Sequence, residues 1–309
     1  MKAKEIFQVI GLDIGRGYVK GWTIVDDKVV YCIFRSVYSL GRNTIDFTMY
    51  DEPILINYEG IDYFVGDIAV RENRNYISNQ SDEKDTKTVE ILIAAALSKL
   101  AVCDNVKIVL GVPYRNYLIN TEQKNVAKYK GKEFKITDVL NQKTSVITVK
   151  DIILYREADA ALLAAVEDHG LTGKPFGMIT IGARTTELAY FNADMTFNDY
   201  MSDTIEFGST TILKDLNDQL QAGGLIKNVV ELDNEFYREK NKHLYAFGLE
   251  RLNQILTGYW LNMSEMDIFI AGGTCEDFDL ENTNYIKVQQ PQLATAKGLY
   301  LVGCDTWQS

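Results

Sequence analysis

Phe7-Gln-Val-Ile-Gly-Leu-Asp-Ile-Gly-Arg-Gly-Tyr-Val-Lys20 is the stretch on which the fold turns. Residues 7–12 are an apolar run of strand composition, and Asp13 to Lys20 reads as a tight glycine-rich turn. A second strand over 18–25 turns at Asp26-Asp27 into a third over 29–34, so the chain opens as a three-stranded meander. The layout returns later: 176–181 is an apolar strand, Gly182-Ala-Arg-Thr-Thr186 the turn, 187–191 the second strand and 195–201 the third. A recurrence of this kind within one chain predicts two related domains, with a seam near 170–175.

Between the meanders the alternation of strand and helix favours an α/β architecture. Val89, Leu92, Ile93, Ala96, Leu97 and Leu100 fall on one helical face, which predicts an amphipathic helix over 86–102. Val106-Lys-Ile-Val-Leu-Gly-Val-Pro113 reads as a buried strand stopped by Gly and Pro, 151–155 as a strand, and 158–167 as an alanine-rich helix. In the second half helices are expected over 210–221 and 244–257, and a strand over 267–271. The polar segment 43–85 reads as a small inserted surface subdomain with no catalytic signature.

With 309 residues, 46% hydrophobic and 24% charged, the chain holds enough apolar material for two cores and no disordered tract. The first apolar run is too short for a signal peptide or a membrane span, so a cytoplasmic protein with no membrane role is expected. The four cysteines show no metal or redox spacing, and the two histidines argue against most imidazole-based chemistry. A formal charge of −11 argues against direct binding of nucleic acid, whose affinity rests on Lys and Arg.

Three constellations carry chemistry. In the first turn Gly15, Arg16 and Gly17 let backbone amides approach phosphate oxygens, Lys20 supplies a cation, and Asp13 can hold Mg²⁺ through water. The second turn offers Gly182, Arg184, Thr185 and Thr186 to a terminal phosphate. Gly272-Gly-Thr274 ends a buried strand where backbone can lie against a flat nucleoside, and Gly208 stands before a helix whose end amides could reach a sugar or phosphate. Each has a plain structural alternative: a β-turn for either hairpin, and a strand-to-helix turn for the glycine pair.

The ordered set resembles the five nucleotide motifs of the actin superfamily. Asp13 to Lys20 resembles the first phosphate motif, Arg156-Glu-Ala-Asp-Ala-Ala161 the first connecting motif and Ile179 to Glu187 the second phosphate motif. Ala271 to Thr274 resembles the adenosine motif, and Leu293-Ala-Thr-Ala-Lys-Gly-Leu299 the second connecting motif. Length, Leu110-Gly-Val-Pro113 and the Arg-Thr-Thr turn look most like ParM and the related Alp-type plasmid actins. The resemblance implies a two-lobed α/β fold of duplicated domains, with mixed sheets flanked by helices and a nucleotide cleft between the lobes. The first domain would span 1–170 with an insertion at about 35–85, and the second 171–309 with a helical insertion at about 209–265.

The same resemblance implies ATP or GTP with Mg²⁺, gives Glu157 the catalytic role of positioning the attacking water, and implies a self-assembling filament that moves plasmid DNA through a DNA-binding adaptor of ParR type. Two positions depart from the pattern: Thr180 stands where the second phosphate motif has Asp, and Thr295 where the second connecting motif has Asn. Thr180 cannot supply an anionic acceptor to Mg²⁺-bound water, which implies slow hydrolysis or an altered metal position, and Thr180→Asp would then release phosphate faster. The competing reading is a small-molecule kinase of the same superfamily, although no substrate-side base is identifiable. A chaperone-like ATPase is disfavoured because little sequence follows Leu301.

Overall fold

The structure is a computed structural model that describes residues 6–42, 46–73, 75–81, 83–118, 122–170, 172–225, 227 and 229–308. The chain divides into two compact units, Met1–Ala160 with Ala296–Ser309, and Ala161–Thr295.

The strands of the first unit are β1 (Gln8–Ile14), β2 (Tyr18–Val25), β3 (Lys28–Arg35), β4 (Val37–Leu40), β5 (Ile54–Tyr58), β6 (Ile61–Val65), β7 (Ile77–Ser78), β8 (Asn105–Val112), β9 (Glu133–Asp138) and β10 (Lys143–Arg156). Its helices are α1 (Asp67–Glu72), α2 (Lys87–Leu100), α3 (Tyr114–Leu118) and α4 (Glu122–Val126), and α5 (Glu157–His169) leaves the end of β10. All ten strands form one sheet in the order β3-β2-β1-β8-β10-β9-β5-β6-β4-β7. β1 is buried along its whole length and runs parallel to β8, which explains why both read as continuous apolar runs without alternation. α2 places the expected Val89, Leu92, Ile93, Ala96, Leu97 and Leu100 face in the core, but Ile91, Ala94 and Ala95 are buried as well, so the helix is enclosed rather than amphipathic; Thr86 caps it by accepting from the Val89 amide.

The second unit contains β11 (Phe176–Ile181), β12 (Thr186–Phe191), β13 (Phe197–Ile205), α6 (Ser209–Ala222), α7 (Val229–Leu232), α8 (Glu235–Lys240), α9 (Lys242–Tyr259), β14 (Asp267–Ala271) and β15 (Tyr285–Lys287). Its sheet order is β13-β12-β11-β14-β15. This repeats the first five strands of the other sheet: an antiparallel meander, then two further strands parallel to its first strand. The recurrence expected from the sequence is therefore a recurrence of topology. Its core joins Ile179, Ile181, Phe207, Leu213, Leu252, Trp260 and Ile270.

Within the first sheet two features differ from the sequence reading. The segment expected as a separate insertion extends the first sheet instead, because β5 pairs with β9 and β9 with the first half of β10. β10 starts at Lys143, well before the expected 151, with a register shift between Val149 and Asp151 where its partner changes from β9 to β8. Residues 43–45, 74 and 82 of the expected insertion lie outside the described residues.

The last helix, α10 (Ala294–Gln308), groups from Ala296 onward with the first unit, although the sequence reading placed 171–309 in the second. The reason is packing: Leu299 joins Val109 and Ala160 in a small core, and a Cβ on Gly11 would stand 2.2 Å from the Ala296 carbonyl oxygen. Gly298 lies as closely against α5, where an added Cβ would stand 1.7 Å from the Ala160 carbonyl oxygen. Only glycine permits backbone approaches of this kind.

Candidate functional site

The two glycine turns close in the same way. In the first, Ile14 faces Val19 and Asp13 faces Lys20, and the Gly15 amide donates to the Tyr18 carbonyl at 3.1 Å. In the second, Ile181 faces Thr186 and Thr180 faces Glu187, and the Gly182 amide donates to the Thr185 carbonyl at 2.9 Å. Position for position, Thr180 is the counterpart of Asp13 and Glu187 the counterpart of Lys20. This corrects one detail of the sequence reading: the amides of Gly15 and Gly182 close the turns, so a phosphate reading rests on the tips, residues 16–17 and 183–185.

The carbonyls of both turns are tied back into their units. At the first turn Lys84 donates to the Ile14 carbonyl (2.8 Å), the Ser36 hydroxyl to Gly15 (2.7 Å), the Asn79 amide to Gly15 (3.2 Å) and the Ser36 backbone amide to Gly17 (2.9 Å). At the second, the amides of Ser209 and Thr210 at the start of α6 donate to Gly182 (3.2 Å) and Ala183 (2.8 Å). Drawing carbonyls inward orients the opposite, amide-bearing side of each turn for an anion. It also corrects the reading of Gly208. The helix-end amides proposed for a ligand are engaged by the turn, and Gly208 is glycine because a Cβ would stand 2.6 Å from the carbonyl oxygens of both Gly182 and Ala183.

In the first unit Lys20 bonds the Asp13 carboxylate at 2.8 Å with both side chains largely buried. A Cβ on Gly15 would stand 3.1 Å from the Tyr18 carbonyl oxygen and 3.7 Å from both Asp13 Oδ1 and Lys20 Nζ, so the tight closure of the turn is what favours glycine beside this pair. Glu157 begins α5 and lies across the end of β8, where a Cβ on Gly111 would meet its Cγ at 3.0 Å. Its Oε1 is 4.0 Å from Lys84 Nζ. Lys84 is 3% exposed, a buried cation that bridges the first turn and Glu157. The sequence reading missed it, because a lysine in a polar segment reads as solvated. Nearby, burial pushes the Asp159 carboxyl up to about 6 against the pull of its ion pair with Arg156.

In the second unit the predicted residues divide. Arg184 is exposed and pairs with Glu206 at 3.1 Å, a surface contact worth about 0–1 kcal/mol and readily exchanged for another anion. Thr185 is half-buried at the turn. Thr186 is fully buried and its hydroxyl donates to the Phe207 carbonyl at 2.8 Å, so it braces the turn rather than presenting a hydroxyl to phosphate. Gly272 has φ +98° and an added Cβ would stand 2.1 Å from the Ile181 carbonyl oxygen, so its glycine is required by β11 rather than by a nucleoside. Gly273 opens toward the Gln292 side chain, 3.4 Å from where its Cβ would be, and Thr274 is buried beside it. Thr295 is buried near the start of α10.

Among the described residues no three His, Cys, Asp or Glu side chains form a group able to hold a metal ion, and no helix is long and apolar enough to cross a membrane. Burial raises the Cys32 and Cys275 thiols to about 12, far from the range of a reactive thiolate.

Residues 11–158 match the family described as actin-like proteins, N-terminal domain. Among solved structures the chain is similar to the subunit of a 15-stranded ParM filament from Clostridium botulinum, with TM-score 0.80, 21% identity and coverage of 97% of this chain and 100% of that one. An archaeal actin homologue in complex with ADP aligns with TM-score 0.74 and 18% identity over 96% and 99% of the two chains. ParM from Bacillus thuringiensis with ATP aligns with TM-score 0.71 and 14% identity over 99% and 100%. No curated protein matches the sequence. The matched domain and the duplicated sheets show an actin-like fold. It is the fold shared by ParM and the archaeal actin homologue.

Proposed function

We propose that this chain is a nucleotide-driven filament subunit that binds ATP or GTP with Mg²⁺ and hydrolyses it. The observation that carries the reading is the pair of hairpin turns closed by the same hydrogen bond, each with its carbonyls drawn back into its own unit. A plain structural repeat has no need to hold two turns in a phosphate-compatible pose. Support comes from the similar proteins, one of which is a ParM filament and others of which hold ADP or ATP.

In this proposal the tips of the turns, residues 16–17 and 183–185 with the Arg184 guanidinium, take phosphate oxygens, and Gly273 lies against the nucleoside. Lys20 turns from Asp13 to phosphate, or bridges the two. The mostly buried Asp13 carboxylate at the first turn suits a hydrated Mg²⁺, which keeps several waters and is held through them. When bound, the metal supplies charge neutralisation to the phosphates. Glu157 orients the attacking water and accepts its proton, and Lys84 fixes Glu157 while adding positive charge beside the first turn. The protein works in the cytoplasm, and with a net charge of −11 any plasmid cargo is engaged through a DNA-binding adaptor.

Calorimetry with Mg²⁺ and either nucleotide tests the site. Asp13→Ala and Lys20→Ala each remove a charge-assisted contact worth about 1.5–3 kcal/mol, so affinity is expected to fall roughly tenfold to 100-fold. Unchanged affinity in both variants would remove the phosphate assignment. Assembly is tested separately by light scattering, pelleting and electron microscopy. Micromolar polymerisation needs only about −8 kcal/mol per subunit, within reach of an ordinary interface, so scattering should rise on adding nucleotide. A flat trace with both nucleotides across several salts would favour a non-assembling kinase.

A further inference from the structure

We propose that β3 is a docking edge for a second copy of this chain, the two β3 strands pairing antiparallel about a two-fold axis through Tyr31. Such a contact closes on itself, so it joins two copies without propagating a filament, and it does not rest on the nucleotide reading.

β3 is the outermost strand of the first sheet and pairs with β2 alone among the described residues. Its eight residues oppose those of β2 in unbroken register, with no bulge. Natural proteins blunt such edges with short strands, bulges, proline or charge. Here the charged residues stand only at the two ends, Lys28 and Arg35. Between them Val29, Tyr31 and Ile33 project from one face, 48%, 53% and 37% exposed. Tyr31 stacks on Trp22 with ring centroids 6.3 Å apart, which steadies the middle of the stripe. An open row of backbone donors and acceptors with an apolar stripe along it is a template for another strand.

The order of residues along β3 selects its own copy as that strand. A two-fold axis perpendicular to the sheet keeps odd residues opposite odd ones, because side chains alternate between faces. With Tyr31 on the axis, Val29 of each copy faces Ile33 of the other and Tyr31 faces Tyr31, so every exposed apolar residue meets an apolar mate. Moving the axis to Val30 would set Ile33 opposite Asp27, and moving it to Cys32 would set Val29 opposite Arg35. The Tyr31 register instead brings Asp27, just before the strand, opposite Arg35, a pair of opposite charge at each end.

A cavity beside the edge fits the same partner. It has a volume of about 540 Å³ and opens between residues 31–34 and the loop 50–53. In the Tyr31 register Val30 and Lys28 of the incoming copy come opposite Cys32 and Phe34, which line it. Its wall offers Ile54 and Ile68 to the valine, and the exposed carboxylates of Asp51 and Glu52 to the lysine. Asp67 and Arg71 in the same wall are engaged by Arg35 and by the Tyr50 ring. Lys99 is the remaining charge, which leaves a surplus of negative charge for Lys28 to meet.

Sedimentation velocity of the full chain without nucleotide, across the micromolar range, should show a dimer in equilibrium with monomer. Tyr31→Lys sets two ammonium groups face to face on the axis and should weaken the dimer by about 100-fold or more, with an unchanged melting curve. The register is read with cysteine. Mixing Val29→Cys chains with Ile33→Cys chains places the new side chains opposite one another, with Cβ atoms about 5 Å apart, and a short bifunctional maleimide should link them. Either chain alone, with its equivalent thiols about 14 Å apart along the strands, should link no more than the parent.

A chain that stays monomeric throughout overturns the proposal. So does a dimer that Tyr31→Lys leaves intact, or linkage that is as strong in either cysteine chain alone as in the mixture. Should Tyr31→Lys not fold, the cysteine pair decides the question, because it keeps Tyr31 in place. Both readouts are taken without nucleotide, which separates a two-fold dimer from a filament contact.

Discussion

Glu157→Ala is expected to slow phosphate release by about 100-fold or more, within the 10²–10⁴ range of general acid–base contributions, while nucleotide-triggered filaments still form and then persist. Glu157 is the first residue of α5, held over Gly111 at the end of β8 and near the buried ammonium of Lys84. The hydrogen bonds that hold the first turn are donated by Lys84, Ser36 and Asn79, so the phosphate cradle is expected to survive its loss. The cost to the fold should be small: a carboxylate in the first turn of a helix contributes about 0.3–1 kcal/mol through the helix dipole. Assembly and turnover should therefore separate. Phosphate release and light scattering would be followed in the same sample at saturating nucleotide, with Glu157→Gln as a control that keeps the volume and the neighbour of Lys84. A parental rate in Glu157→Ala would remove the catalytic assignment.

What the sequence made legible divides by the kind of signal each residue carries. β1, β8 and β11 are buried on both faces, so their apolar runs could be read directly, as could the helix over α2, although its burial on all sides from Val89 to Leu97 was not. The repeat of the meanders was legible because both turns need glycine at the residue that closes them. The far half of the first sheet was not. β4, β5, β6 and β9 are short, with polar and aromatic residues interleaved, and what makes them sheet is their pairing with one another and with β10, a long-range property.

At the site, the carbonyl-holding network was invisible for the same reason. Lys84 lies 70 residues from its acceptor, Ile14, and nothing in its neighbourhood distinguishes it from a solvated lysine. Glycine was legible as an unusual requirement but not as to what required it. Gly208 and Gly272 were read as openings toward a ligand, and both are filled by the protein's own backbone. The destination of α10 was hidden because an amphipathic helix does not record which sheet it covers, and only the close approaches at Gly11 and Gly298 reveal it. Thr180 was recognised as a departure, while the carboxylate facing it became apparent only from the strand register.

The glycine pair offers the sharpest test of this distinction. Gly272→Ala is expected to destabilise the fold by about 3 kcal/mol or more, whereas Gly273→Ala should leave stability nearly unchanged and weaken nucleotide binding. At Gly272 two effects act together. Its φ of +98° is one that side-chain-bearing residues rarely adopt, and the new Cβ would stand 2.1 Å from the oxygen and 2.8 Å from the nitrogen of Ile181. The obstacle is the backbone of β11, paired on both sides by β12 and β14, so it has no cheap direction in which to move. Overpacking alone costs about 1–3 kcal/mol in well-packed interiors, and the dihedral strain adds about 1–2 kcal/mol. Relief would come by displacing Ile181 and with it the neighbouring Gly182 turn, so any folded fraction should also bind nucleotide poorly.

At Gly273 the new methyl group would meet the Gln292 side chain at 3.4 Å, a contact its flexible end can accommodate. If the nucleoside lies against that glycine, the methyl group holds it off the backbone and affinity falls without a shift in the melting curve. Urea denaturation of both variants, with calorimetry on the folded protein, separates the effects. A Gly272→Ala chain that unfolds with the parent would show that β11 yields more easily than its pairing implies, and parental nucleotide affinity in Gly273→Ala would place the nucleoside elsewhere.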